Sequence, residues 1–225
     1  IKGDQKIPEI SAASLIAKVT RDRLIKKLSK TKAIITVSLY GLPPQLDEIK
    51  RIADSRNIAL IEDNAQCLFG KCNKKIAGTF GDLSIFSLQR SKHLTTGDGG
   101  LLFCPNEEFY EKAKLLRWYG IDREKRNYKG KDLRLEHDVV DWGYKFHMND
   151  INATIGLHNL PHIPRLLDKI RKNAKYFDEH LKDCSGIQLM KNNPKCNSAY
   201  WLYTIRVLNG KKQEFMTKMK EAGIM

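Results

Sequence analysis

The chain has 225 residues, a formal net charge of +14 and a hydrophobic content of 41%, which suits one large domain, or one domain and part of another, with a substantial core. No apolar run approaches the length of a membrane span, and no signal-peptide pattern stands near the start. The five cysteines are scattered and include no CxxC pair, which argues against a zinc site or a disulfide framework and favours a reducing, cytoplasmic setting.

The first thirty residues predict a helix that does not belong to the pattern of the rest. "IPEISAASLIAKVTRDRLIKKLSK" (7–30) is amphipathic after a short extended lead. It enters "TKAIITV" (31–37) without an obvious turn, so this join needs a separate explanation.

From Thr31 onward the pattern alternates between strand and helix. "AIITVSLY" (33–40) predicts a strand, "QLDEIKRIADSRN" (45–57) a helix with its apolar residues on one face, and "IALIED" (58–63) a buried strand. This spacing predicts a right-handed βαβ unit of a parallel sheet. Two further strands (82–88 and 100–105) and a helix opened by Asn106 are predicted next.

The C-terminal third predicts a different arrangement. A long amphipathic helix is expected from about Arg165 to Lys182, then a strand over "AYWLYTIRV" (199–207) and a closing helix over 211–223. Pro161 and Pro164 mark a boundary. We therefore predict an α/β domain portion over 31–160 and the start of a smaller α+β domain over 161–225.

Three polar side chains fall near the ends of the predicted parallel strands. Asp63 ends one strand, Ser87 ends the next, and Lys92 lies in the loop that follows. Ligands of open parallel sheets bind beyond the carboxyl ends of the strands. The residues alone leave two interpretations open: a structural ion pair between Asp63 and Lys92, or a lysine held in a pocket for covalent chemistry.

Four stretches in order resemble the DegT-type sugar aminotransferases, which are pyridoxal-phosphate enzymes of the aspartate aminotransferase fold (fold type I). The resemblance covers most of the chain from Thr31 onward, and its blocks are "TKAIITVSLYGLPPQLDEIKRIADSRNIALIEDNAQ", "GTFGDLSIFSLQRSKHLTTGDGGLL", "LLRWYGIDRE" and "WGYKFHMNDINATIGLHNL". It implies a mainly parallel large-domain sheet, pyridoxal phosphate as the cofactor and no metal.

The resemblance also implies roles for four residues. Lys92 matches the lysine that carries the cofactor and moves the proton, and Asp63 the acid that pairs with the pyridine nitrogen. Gln66 matches a residue packed close to the cofactor ring, and Ser87 a hydroxyl donor to the cofactor phosphate. Two positions depart from the family pattern: Lys145, where asparagine is frequent, and His147, where arginine is common.

The implied reaction moves an amino group, with glutamate as donor, to a keto group on a nucleotide-linked deoxysugar. Members work as homodimers with sites at the subunit interface, so we expect reduced activity from a chain that lacks the family's long preceding segment. Sugar 3-dehydratases of the same family carry histidine at the lysine position. Lys92, with His93 beside it, therefore favours transamination.

Residues 2–29 resemble a C-terminal piece of ribonuclease HII, in which Asp22 matches one of four metal-binding carboxylates. One carboxylate cannot hold two metal ions, so a chimeric junction is the simpler interpretation. Two alternatives stay open: a non-catalytic basic nucleic-acid-binding protein, given the net charge of +14, and an inactive chimera that carries a ribonuclease HII fragment. Because most of the excess lysine is spread along helical faces, a solvated basic surface is favoured over a nucleic-acid partner.

Overall fold

A computed structural model describes residues 31–122, 124, 139–190 and 192–224. The helix predicted for residues 7–30, together with Asp22, lies outside the described residues. None of the described helices combines the length and the apolar character needed to cross a membrane. The helices and strands are, in chain order, β1 (Ala33–Val37), α1 (Leu46–Asp54), β2 (Ala59–Asp63), β3 (Lys71–Cys72), β4 (Lys75–Ile76), β5 (Leu83–Ser87), β6 (Gly100–Phe103), α2 (Glu107–Leu116), α3 (Asp150–Asn159), α4 (Ile163–Leu181), β7 (Ile187–Leu189), β8 (Cys196–Asn197), β9 (Ile205–Val207) and α5 (Lys212–Glu221).

The main sheet has the strand order β1-β2-β5-β6. The pairs β1–β2 and β2–β5 are parallel, which confirms the parallel pairing predicted for the βαβ unit. β6 returns antiparallel to β5, because the residues that join them, 88–99, contain no helix that could form the crossover of a parallel connection. The sheet is therefore mostly parallel, as expected.

Two helix starts contain residues that favour them, and the first of these, the Asn106 cap, was predicted. The Asn106 side chain accepts a hydrogen bond from the Phe109 amide and so opens α2. Pro164 lies in the first turn of α4, where its missing N–H costs nothing. The long helix runs from Ile163 to Leu181, close to its predicted bounds.

Two of the predicted strands are too long. The strand predicted over 33–40 ends at Val37, because a short 3-10 turn follows in which Tyr40 takes a φ of 56°. The strand predicted over 199–207 is limited to Ile205–Val207. Its first half is not extended, because Tyr200 has a φ of 46° and the Ala199 amide donates instead to the Gly41 carbonyl at 2.8 Å.

The core joins residues from both sides of the predicted domain boundary. Ile163 and Leu167 of α4 pack in one buried cluster with Leu46 and Leu88. The apolar face expected for this helix, which runs through Leu166 and Ala174, is correct at Ala174, which is 3% exposed. It is wrong at Leu166, which is 39% exposed, because Leu167 is the residue that enters the core there. The domain division near residue 161 stays a prediction.

A second link ties the C-terminal residues to the first part of the chain. β8 pairs with β3 in a small antiparallel sheet. The Arg171 guanidinium of α4 donates to the carbonyls of Phe69 and Ser198, each at 3.1 Å. Residues 196–201 are therefore held against the loop that follows β2.

Candidate active site

The carboxyl edge of the main sheet brings Asp63 and Ser87 to one side. β2 and β5 are parallel, and Asp63 pairs with Ile85, two residues before Ser87. Each side chain shapes the turn that leaves its strand: Asp63 Oδ1 accepts from the Ala65 amide at 3.0 Å and Ser87 Oγ from the Gln89 amide at 3.3 Å. The structure thus places a carboxylate and a hydroxyl on the rim where the sequence predicts them.

Lys92 lies in the loop between β5 and β6, and it is half-buried. Its amide donates to the Gln89 carbonyl at 2.9 Å. Its ammonium stands 3.8 Å from the centroid of the Trp201 ring, a distance at which the π-electrons of the ring attract a cation. The Trp201 indole N–H in turn donates to the Ser91 carbonyl at 2.8 Å. One tryptophan from the C-terminal region therefore covers Lys92 and is fastened to its loop.

Sequence reasoning missed Trp201. It placed this residue inside a predicted strand, and the local pattern holds no sign that residue 201 meets residue 92. Only the turn at Tyr200, where φ is 46°, directs the segment back over the loop.

His93, next to Lys92, serves as an anchor. The ring is buried, and Nε2 donates to the Ala199 carbonyl at 2.8 Å. Burial lowers the pKa of His93, the positive charges of Lys92 and Arg171 lower it further, and the hydrogen bond to Ala199 acts in the opposite direction. The neutral imidazole therefore ties the loop to the C-terminal segment.

Helix α3 supports the other half of the same loop. Asn152 and Asn159 donate from their side-chain amides to the carbonyls of Asp98 and Thr95, each at 3.1 Å. A β-carbon on Gly156 would lie 2.7 Å from the Thr96 methyl group, so glycine is what permits this close approach. The sequence block that ends in "NATIGLHNL" thus has a physical role in positioning the loop.

The small residues of "TTGDGG" act through backbone conformation. Gly97 has a φ of 86°, and a β-carbon there would meet nothing within 4 Å. Gly99 has a φ of 136°, and a β-carbon there would lie 3.0 Å from the Met148 methyl group. The backbone therefore passes closely under its neighbours at Gly99, whereas Gly97 is needed for its left-handed conformation alone.

Gln66 follows Asp63 in the same loop. Its side-chain oxygen accepts a hydrogen bond from the Tyr40 amide at 2.7 Å, which fastens this loop to the turn after β1. The contact with a cofactor ring that the family resemblance implies stays a prediction.

Glu62, the acid before Asp63, is a structural residue that the sequence did not single out. Its buried carboxylate accepts from the amides of Gly78, Phe80 and Gly81 at 2.6 to 2.7 Å. Three such bonds compensate for burying the carboxylate and fix the turn that leads from β4 into β5. Of the two acids in "IED", Asp63 is therefore the one available to a ligand.

The two positions that depart from the family pattern lie near Trp118. Lys145 is exposed and pairs with Trp118 through an isolated β-bridge, and the His147 ring lies 3.7 Å from the Trp118 ring. Contacts of either residue with substrate or cofactor stay predictions.

A family model described as the DegT/DnrJ/EryC1/StrS aminotransferase family matches residues 5–225. GDP-perosamine synthase of Escherichia coli O157:H7 is 29% identical over 214 residues, which are 95% of this chain and 53% of that protein. GDP-4-keto-6-deoxy-D-mannose 3-dehydratase of Escherichia coli O55:H7 is 32% identical over 202 residues, 86% of this chain and 52% of that one. The chain thus spans about half the length of the curated relatives it matches.

The fold has solved counterparts. The crystal structure of the sugar aminotransferase CalS13 from Micromonospora echinospora superposes with a TM-score of 0.77 at 30% identity, covering 87% of this chain and 53% of that one. This likeness confirms the predicted fold type I α/β class. The family match begins at residue 5, inside the segment that resembles ribonuclease HII; the chimeric junction stays a prediction. The matches give no support to the nucleic-acid-binding alternative or to reduced activity.

Proposed function

The chain belongs to the DegT/DnrJ/EryC1/StrS aminotransferase family, and on this basis we propose that it transfers an amino group to a keto group on a nucleotide-linked deoxysugar. Glutamate is the proposed amino donor, and a cytoplasmic homodimer the proposed working unit. The observation that carries the proposal is Lys92 in the loop after β5, on the rim formed by the carboxyl ends of β2 and β5.

The residues on this rim fit pyridoxal phosphate, the cofactor of the family. The aldehyde of the cofactor reacts with a primary amine, and its protonated pyridine nitrogen pairs with a carboxylate. Its phosphate accepts hydrogen bonds from hydroxyl and amide groups. Lys92, Asp63 and Ser87 are a primary amine, a carboxylate and a hydroxyl on elements that meet at one edge of the sheet. The donor set therefore contains one group for each part of the cofactor.

When bound, pyridoxal phosphate supplies an aldehyde that accepts the amino group and a ring that accepts electrons from the substrate carbon. Asp63 would hold a proton at the pyridine nitrogen, since its carboxylate would stabilise the charged ring. Lys92 Nζ would take the α-proton from the amino donor and deliver it within the site. Ser87 would donate to the phosphate, and Gln66 would pack close to the ring.

Dehydration is the second reaction to weigh, because a 3-dehydratase is among the similar proteins. Family dehydratases use a histidine in place of the lysine, and His93 is the neighbouring histidine here. The His93 ring is buried and bonded to the Ala199 carbonyl at 2.8 Å. Because its ring already bonds the loop to the C-terminal segment, His93 does not take the place of the dehydratase histidine. This supports transamination through Lys92.

Borohydride trapping tests the role of Lys92. Purified protein mixed with pyridoxal phosphate should absorb in the visible, and reduction followed by peptide mapping should place the label on Lys92. Adding glutamate before reduction should remove the visible band. Lys92→Ala should lose the band and the label while circular dichroism shows an unchanged fold. Lys172→Ala, a change at an exposed lysine of α4, is the matched control and should keep both.

Two results would contradict the proposal. A label spread over surface lysines, or one that persists in Lys92→Ala, would remove Lys92 from the site. A specific label on Lys92 with no spectral response to glutamate would leave cofactor binding in place and overturn transamination with this donor.

A further inference from the structure

The small sheet formed by β3 and β8 places two cysteines opposite each other. Cys72 of β3 and Cys196 of β8 are direct partners in the antiparallel register. The next pair is hydrogen-bonded, since the Asn73 amide donates to the Lys195 carbonyl at 2.8 Å. Because such pairs alternate along an antiparallel ladder, Cys72 and Cys196 form a non-hydrogen-bonded pair, the type with the shorter separation between side chains.

The two thiols influence each other, because burial and the neighbouring Cys72 thiol both raise the pKa of Cys196. Each thiol also has an oxygen neighbour: Cys72 Sγ donates to Asp47 Oδ1 at 3.4 Å, and Cys196 Sγ lies 3.8 Å from the Pro44 carbonyl. Both are free thiols. The register places the two β-carbons on the same side of adjacent strands, in the type of pair that brings side chains closest, which favours a disulfide between them.

The other three cysteines have different surroundings. Cys67 is buried and donates to the Gly41 carbonyl at 3.2 Å, Cys104 is half-buried, and Cys184 is exposed. Among the strand pairs of the described residues, the register sets no other two cysteines opposite each other. Any selective disulfide is therefore expected at Cys72 and Cys196.

We propose that Cys72 and Cys196 are a redox-sensitive dithiol that closes to an intramolecular disulfide when a low-molecular-weight disulfide such as oxidised glutathione is present. Cys196 is half-buried and Cys72 is 1% exposed, so Cys196 meets the oxidant first. Its thiolate attacks one glutathione sulfur, the glutathione S–S bond breaks, and one glutathione leaves as a thiolate.

The second step joins the two strands. Cys72, after losing its proton to solvent, attacks the Cys196 sulfur of the mixed disulfide, and the second glutathione leaves. The protein dithiol has then lost two electrons and two protons, and the oxidant has become two molecules of glutathione thiol. A reducing dithiol such as dithiothreitol reverses the exchange.

The surroundings make this exchange slow at neutral pH. Burial, the Cys72 thiol and the Asp47 carboxylate raise the pKa of Cys196 to about 12, and only the nearby Lys195 charge opposes them. Asp47 is itself a stable carboxylate. Burial raises its pKa, but hydrogen bonds from Cys72 and from the Glu48 amide outweigh burial and lower the Asp47 pKa. The thiolate is the attacking form. The rate should therefore rise about tenfold for each unit of pH between neutral and alkaline conditions.

Closure would act on the segment that covers Lys92. β8 runs directly into Ala199 and Trp201, which contact His93 and Lys92. A covalent bond from β8 to β3 fixes the start of this segment against the loop after β2. Because the disulfide also closes a long stretch of chain, the midpoint of thermal unfolding should rise by roughly 5–10 °C.

The experiment uses the full chain with mixtures of oxidised and reduced glutathione at mildly alkaline pH. After acid quenching and alkylation, the protein should have lost two of its five free thiols and the mass of two hydrogen atoms. Peptide mapping should find Cys72 linked to Cys196. Cys184→Ser, a change at the exposed cysteine, is the matched control and should oxidise in the same way, whereas Cys196→Ser should form no internal disulfide.

Other patterns of oxidation would overturn the proposal. One is a stable mixed disulfide of Cys196 with glutathione that leaves Cys72 free to alkylate. Another is a disulfide in the wild-type protein that joins a different pair. A third is an unchanged count of five thiols after prolonged exposure to the oxidant. The mapping needs only the wild-type protein, so it decides the matter even if a cysteine variant folds poorly.

Discussion

Replacing Gly156 by alanine tests how closely α3 supports the loop that carries Lys92. A β-carbon at this position would lie 2.7 Å from the Thr96 Cγ2 atom, and real β-carbon contacts below 3.0 Å are essentially absent. Thr96 is 2% exposed, and its hydroxyl donates to the Asp98 carbonyl at 2.6 Å. Its methyl group therefore cannot turn away without breaking that bond.

Two opposing effects set the change in the free energy of unfolding caused by Gly156→Ala. In an unobstructed helix, glycine to alanine raises the free energy of unfolding by about 1 kcal/mol. Overpacking against a rigid neighbour lowers it by about 1–3 kcal/mol. The net expectation for Gly156→Ala is a loss of about 1 kcal/mol, together with weaker bonds from Asn152 and Asn159 to the loop.

The matched background is Thr96→Ser, which removes the methyl group and keeps the hydroxyl. In that background Gly156→Ala should recover the helix gain of about 1 kcal/mol, so the double-mutant cycle should give a coupling of about 2 kcal/mol. Urea unfolding of the four proteins measures it. Equal stabilisation by alanine in both backgrounds would show that α3 does not press on Thr96 and would refute the reasoning.

Two further predictions concern the neighbours of Lys92. Because burial lowers the folded pKa of His93 below its ordinary 6.5, the unfolded chain binds the proton more readily. The contribution of His93 to stability is therefore complete above pH 6.5 and lost as the pH falls below it. The difference in free energy of unfolding between wild type and His93→Gln should shrink on acidification, and a difference that stays constant with pH would contradict this. Trp201→Leu should speed acylation of Lys92 by an amine-reactive ester roughly 2–30-fold, since the ring stabilises and covers the ammonium, whereas Trp201→Phe should change it less. Peptide mapping measures the labelling of Lys92 relative to that of exposed lysines. Equal Lys92 labelling in wild type and Trp201→Leu would show that Trp201 does not cover Lys92.

The sequence by itself determined the secondary structure that builds the rim. The β-branched run of β1 and the helical spacing of α1 are carried by consecutive residues, so their periods can be recognised without any tertiary contact. The same holds for the Asn106 cap. Once the strands are parallel, their carboxyl ends meet at one edge. The sequence therefore predicted that Asp63, Ser87 and the Lys92 loop would lie on the same side of the sheet.

Only the tertiary structure decided what surrounds that rim. Trp201 meets Lys92, and Cys196 meets Cys72, across more than one hundred residues of chain. Glu62 accepts bonds from a turn that forms only when β4 leads into β5. Such contacts depend on how whole elements pack, and packing is settled by the shape and burial of many side chains together. No pattern of neighbouring residues records it, because the partners become neighbours only when the chain has folded.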